Sequence, residues 1–342
     1  MNLTLAAQED SNYDYVNARL RSRFRDFFSA EQIEALVSAD LQGMEKIVLD
    51  SAYGEFYRQN FMLEVSPLAS KLEKLTAFAA EKRFLDLKSW SKGSVRIMTA
   101  VLSLQSDVEN GQLFLRSLYS GQMQKTPFYP GWGELSGSFW RMLWGFEGDR
   151  EKIQEACRYD PSAVSDLLCE SVSRLDERHS LWEAEWFFLD GVFQWARRLL
   201  DPVRGEDAAL VERWLSLLTD LWNVRIWLHS QMNAVSQENM CYLDGGTLSE
   251  NVLLSSKRLD VLLRGSFWEG KSLQNAQDGS LLSMERSFLR WQLALRRQNP
   301  LGVEVVISYM AQQFCEWRNM SAVLVGILCN LDSSLVRAVL LP

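Results

Sequence analysis

Apolar residues recur at three- and four-residue spacing along almost the whole chain, and that spacing restricts the fold more than any other feature. Between Glu206 and Ser230, the residues Val211, Trp214, Leu215, Leu218, Trp222 and Trp227 share one broad stripe. Between Ser180 and Leu200, Trp182, Trp186, Leu189, Phe193 and Trp195 do the same. With 3.6 residues per turn, such a stripe is one face of a helix. Strict alternation between hairpin turns, which would mark strands, is missing. Start signals agree with helices. Asp160-Pro161 and Ser66-Pro67 each place a capping residue before a proline, which tolerates the first helical position. Ser29-Ala30-Glu31-Gln32 has the spacing of a capping box. Asp201-Pro202 followed by Gly205 ends one helix and begins another. The expectation is an all-α protein. The segment from Ala322 to Cys329 reads as one short buried helix or strand.

Charge and composition narrow the function. The 342 residues carry a formal charge of −8, which disfavours a sequence-independent nucleic-acid binder, since that role needs a basic footprint. Thirteen Trp and 17 Phe supply unusual packing area. No stretch reaches 18 uninterrupted apolar residues, so no membrane span is expected. The first residues soon reach Glu9 and Asp10, so no signal-peptide core is expected either. Cys157, Cys169, Cys241, Cys315 and Cys329 are scattered and never spaced C-x-x-C. They read as small buried hydrophobes in a reducing compartment. Only two histidines occur, His179 and His229, so there is little material for a metal site. Neither metal nor cofactor is expected. The acidic pairs Glu183/Glu185 and Glu31/Glu34 read as helix-surface carboxylates, and no local motif identifies a general acid and base.

A threefold internal pattern runs through the chain. A helix leading to a turn recurs before Gly43, Gly148 and Gly270. A long helix opening on Glu recurs at Glu73, Glu185 and Glu285. A helix beginning with a small polar residue recurs at Ser94, Asn223 and Asn319. Glycine turns follow the first two copies, at Gly131–Ser136 and Gly245–Ser249, and the third copy stops at Pro342. The pattern divides the chain into helical modules at 1–135, 136–248 and 249–342, around a pseudo-threefold axis.

These residues resemble the central-stalk adaptor family of V-type and A-type rotary ATPases, whose members are known as the C or the d subunit. The opening Tyr13-Asp14-Tyr15-Val16-Asn17-Ala18-Arg19-Leu20-Arg21 resembles the family's opening motif. Glu316-Trp317-Arg318-Asn319 matches its Glu-x-x-Asn pattern, and Asp220-Leu221-Trp222-Asn223 matches it with Asp. Gly245 to Leu248 supplies the Gly-Gly-x-Leu sequel. In the first module Ser94 stands for the expected Asn, 39 residues before Gly133, against 23 from Asn223 to Gly246. The resemblance implies a non-catalytic, funnel-like protein of three helical domains. Its partners would be central-stalk subunits of the D and F type and the membrane proteolipid ring. It would sit on the cytoplasmic side, peripheral to the membrane.

Two features compete with or extend that reading. Gly265-Ser266-Phe267-Trp268-Glu269-Gly270-Lys271-Ser272 fits the phosphate-loop pattern, with Gly265, Gly270, Lys271 and Ser272 as its defining residues. Its helical surroundings and bulky interior favour a plain helix-to-helix turn. Nucleotide binding through Lys271 and a general helical scaffold stay as the alternatives. Arg19, Arg21, Arg23 and Arg25 form a dense basic run. On a helix, Arg19 and Arg23 share one face and Arg21 and Arg25 another. The run is either a solvated face paired with Asp14 and Asp26 or a contact for a neighbouring subunit. The pairs Arg197/Arg198 and Arg296/Arg297 read as charges complementing helix C-termini.

Overall fold

A computed structural model describes residues 10–123, 130–178, 180–232, 241–270 and 280–342. Among these the chain is all-α, with turns and one isolated bridge between Trp132 and Ser136 but no strand or sheet. Helix α1 (Tyr13–Arg23) runs into a 3-10 turn at Phe24–Asp26. Three short helices follow, α2 (Ala30–Val37), α3 (Leu41–Leu49) and α4 (Tyr53–Asn60). Helix α5 (Leu68–Trp90) then turns back as α6 (Gly93–Leu102) and α7 (Leu104–Ser120), interrupted at Ser103. Short helices α8 (Gly137–Gly145), α9 (Arg150–Tyr159) and α10 (Ala163–Arg178) precede a second hairpin. Its helices are α11 (Leu181–Leu200) and α12 (Glu206–Met232). After α13 (Glu250–Ser255) and α14 (Leu259–Leu262), α15 (Ser280–Leu295) and α16 (Glu304–Leu328) make a third hairpin. The short α17 (Ser333–Val339) ends the chain.

Local chemistry sets several starts. Ser29 Oγ accepts from Gln32 N at 3.3 Å while Gln32 Oε1 accepts from Ser29 N at 2.9 Å, a closed capping box. Asp40, Ser136, Asp149 and Ser180 cap α3, α8, α9 and α11 through side-chain oxygens. Two expected starts move. At 160–163 the cap is Ser162, whose Oγ accepts from Ser165 N at 3.0 Å, and the helix begins at Ala163. Asp160 instead braces Ser162 N at 2.9 Å. Pro67 itself sits at the N-cap of α5 with extended ψ, one residue before the helix.

The hairpins lock together as a closed ring. The first helix of each packs along the second helix of the one before: α11 on α7, α15 on α12, and α5 on α16. The principal core runs between these hairpins and the short helices packed on them, and includes the fully buried Trp140, Trp268, Phe114 and Phe188. Each such ring system removes roughly 200 Å² from water, worth about 5 kcal/mol at 25 cal/mol per Å². A second core joins α2, α3, α4, the first half of α5 and the end of α16. The segment from Ala322 to Cys329 is the last two turns of α16 and its C-cap, not a separate buried element. Val325 and Leu328 there are exposed, while the neighbouring Leu324 is buried.

Candidate functional site

Three carboxylates on the second hairpin helices organise the turns around them. Asp107 on α7 accepts from Glu134 N at 2.7 Å and Leu135 N at 3.2 Å. Asp220 on α12 accepts from Leu248 N at 3.0 Å, Trp268 Nε1 at 2.9 Å and the Thr247 hydroxyl. Glu316 on α16 accepts from Phe28 N at 2.5 Å, Arg83 Nη1 at 2.8 Å and the Tyr53 hydroxyl. Buried carboxylates of this kind hold backbone donors that would otherwise lack partners. Burial pushes Asp107 up to about 8 and raises Asp220, each against the pull of its backbone donors. Gly133 and Gly246 pass so close that an added Cβ would lie 2.2 Å from Asp107 Oδ1 and 2.5 Å from Asp220 Oδ1.

The predicted module markers fall in unlike places. Asn223 clamps Leu243 through both its amide groups, at 2.9 and 2.8 Å. Asn319 clamps Leu341 in the same way, at 3.1 and 2.7 Å. Both lie within their helices and not at the starts. Ser94 is in the first turn of α6, 2.6 Å from Ser11 Oγ, and makes no comparable clamp. The residue three positions after Asp107 is the fully buried Asn110. It precedes Gly133 by 23 residues, as Asn223 precedes Gly246. The signal Asp107-Val108-Glu109-Asn110 is therefore present in the sequence.

Glu73 is exposed on α5. Glu185 is buried, not a surface carboxylate, and takes Arg116 Nε at 2.5 Å and Nη2 at 3.3 Å, joining α11 to α7. Glu285 borders a cavity of about 70 Å³ inside the ring, with burial raising its pKa and Arg318 and Arg225 opposing. The cavity is mostly apolar, walled by Phe84, Trp132, Trp214, Trp222, Phe288 and Phe314 among others. Small-molecule sites usually need roughly 300 Å³ or more, so it is too small for a nucleotide.

The basic run divides. Arg19 stacks between the rings of Tyr15 and Trp90 at 4.7 and 4.9 Å. Arg21 Nη2 donates to Pro300 O at 2.6 Å. Arg23 and Arg25 share Asp26, at 3.5 and 4.0 Å, and the Arg25 side chain is 84 % exposed. Helix α1 stops at Arg23, so Arg25 lies in the 3-10 turn and does not share a helix face with Arg21. Arg296 extends the patch, with its guanidinium 4.5 Å from the Phe24 ring. Arg197 does more than complement a helix end: it donates to Thr219 Oγ1 at 2.9 Å and Asp244 O at 2.8 Å.

In the phosphate-loop-like segment, Gly265 and Gly270 adopt positive φ of 73° and 70°. Gly265 N donates to Glu269 Oε2 at 2.9 Å, and Trp268 is fully buried. The segment thus turns one backbone donor onto its own carboxylate. An open depression of about 350 Å³ lies alongside, bordered by Arg213, Arg264, Gly265 and Ser266. Lys271 and Ser272 lie outside the described residues, as does His179. Among the described residues no group of three or more His, Cys, Asp or Glu could hold a metal ion. Cys157 and Cys315 are buried, with burial raising both thiols, but Cys241 and Cys329 are exposed. The reading of all five cysteines as buried hydrophobes therefore fails for those two, of which Cys241 lies in irregular chain and Cys329 just past a helix end.

Residues 16–339 match the ATP synthase (C/AC39) subunit family. The C subunit of the A-type ATP synthase of Methanocaldococcus jannaschii is 21 % identical, over 96 % of this chain and 86 % of its own length. Its counterpart in Haloferax volcanii, also the C subunit of an A-type ATP synthase, is 25 % identical, over 96 % of this chain and 97 % of its own.

Proposed function

The chain belongs to the ATP synthase (C/AC39) subunit family, and from that membership we propose that it is a non-catalytic rotor adaptor. It joins the soluble central stalk of a V/A-type rotary ATPase to the membrane proteolipid ring and transmits rotation for ion transport or ATP synthesis. The observation that carries this reading is the family match over residues 16–339, which takes in all three hairpins and not an isolated motif. Packing supports it. A torque coupler must resist twist, and a closed ring of interlocked hairpins with buried aromatic rings is a stiff body.

In this proposal the modules at 1–135, 136–248 and 249–342 form a funnel. Its mouth receives central-stalk subunits of the D and F type, and its base meets the ring. No helix among the described residues is long and apolar enough to cross a membrane, and attachment from the cytoplasmic side runs through these partners. Arg21, Arg23 and Arg25, with Arg296 beside them, face a neighbouring subunit, whereas Arg19 is held by Tyr15 and Trp90. Reconstitution tests the proposal. The tagged chain should co-purify with stalk and proteolipid subunits when the rest of the complex assembles. Assembly of the complex with this chain bound to neither would refute it.

A further inference from the structure

We infer that the start of the chain completes the third module: residues 26–60 sit on α16 as 133–178 sit on α7, and the ring closes through a non-covalent joint at Glu316 where it also opens. The inference rests on the three-module reading and not on the rotary role.

Three seams repeat one arrangement. Asp107, Asp220 and Glu316 stand three residues before Asn110, Asn223 and Asn319. Each carboxylate accepts the N–H of an apolar residue, Leu135 at 3.2 Å, Leu248 at 3.0 Å and Phe28 at 2.5 Å. Each of those residues precedes a serine at the N-cap of a helix: Ser136 for α8, Ser249 for α13 and Ser29 for α2. A second short helix then follows in every case, α9, α14 and α3.

Chain distance is what differs. Leu135 and Leu248 each lie 28 residues after their carboxylate, but Phe28 lies 288 residues before Glu316. The Asn319 clamp pins Leu341 as the Asn223 clamp pins Leu243. The N–H that Glu316 accepts nevertheless comes from Phe28, so residues 26–29 supply the turn at this seam.

Among the described residues, the untethered seam has an arginine bonded to its carboxylate, where Asp107 and Asp220 are held by backbone, hydroxyl and indole donors. Arg83, buried on α5, donates to Glu316 Oε1 through Nη1 and to Asp26 O through Nη2 at 3.1 Å. Tyr53 also donates to Glu316, and its ring stacks on Phe28 at 5.2 Å and 7°. A peptide link keeps a released turn at high effective concentration beside its helix, and this seam has no such link. Its charged bonds substitute for the link, and their loss frees the whole segment at once.

Amide hydrogen exchange on the full-length chain separates the possibilities. Glu316→Gln should speed exchange across residues 28–60 by about ten-fold, the equivalent of one strong hydrogen bond, and leave 136–178 and 250–263 unchanged. Tyr53→Phe keeps the stacked ring and should act on the same segment more mildly, so a folded variant is available in any event. Asp107→Asn and Asp220→Asn should speed exchange at their own turns and not at 28–60. If Glu316→Gln and Tyr53→Phe leave 28–60 as slow as before, or speed all three seams alike, the joint is overturned. If instead the Asp107 and Asp220 variants give unlike patterns at their own turns, the three-module reading beneath it fails.

Discussion

Burial pushes the pKa of Asp107 up to about 8, well above that of an ordinary aspartate. From about pH 4 to about pH 8 the unfolded chain has released the carboxyl proton and the folded chain keeps it. The folded state then binds more protons, so its stability falls as pH rises through this window and levels off above it. Thermal melts at stepped pH should show the decline in the parent chain and a flatter profile in Asp107→Asn. The glycines opposite these carboxylates make a second residue-scale prediction. Gly246→Ala places a methyl against Asp220, and Gly133→Ala places one against Asp107. Each should lose about 1–3 kcal/mol by overpacking, read from urea unfolding. The Asp220–Asn223 pair is legible in the sequence as an acidic residue three positions before an asparagine. Its first-module counterpart escapes a reading by helix starts, because that register selects Ser94, while the asparagine at the matching spacing is the buried Asn110, in mid-helix.

At the scale of elements, helix starts are readable wherever one polar side chain decides them. The Ser29 box closes as its spacing requires, and Ser29→Ala should cost about 1 kcal/mol, measured as a shift of the urea midpoint. The start after Asp160-Pro161 falls later than its spacing suggests because Ser162 stands closer to the first free N–H groups. Trp268 shows what periodicity cannot report. It lies in the turn after α14, yet it is fully buried and bonded to Asp220 on another helix. Trp268→Ala should destabilise by about 3–5 kcal/mol, more than most helix-face substitutions, as judged by calorimetry. Glu185 reads as a surface residue because a charged side chain near a helix start usually faces water. Arg116, which covers it, comes from α7, a distant part of the chain.

For the whole molecule, the all-α class follows from the hydrophobic period, and the family from spaced motifs. The closure of the ring does not, since the bond between Phe28 and Glu316 joins residues 288 apart and neither end of the chain advertises the other. Under the proposed adaptor role the exposed arginines bear on assembly and not on folding. Arg25→Glu should leave the melting temperature within about 1 °C, because an exposed ion pair contributes little. It should weaken capture of the neighbouring subunit at low salt, with the difference fading as salt is added; pull-downs across a salt series measure this.

The second helix of the first hairpin is broken at Ser103, whereas α12 and α16 run on without interruption. Of three staves around one barrel, a single stave is jointed. Such a barrel bends more readily toward that stave than toward the other two. If the chain turns as the proposed rotor does, this unequal compliance returns as a wobble once per revolution, fixed to the shaft and not to its housing.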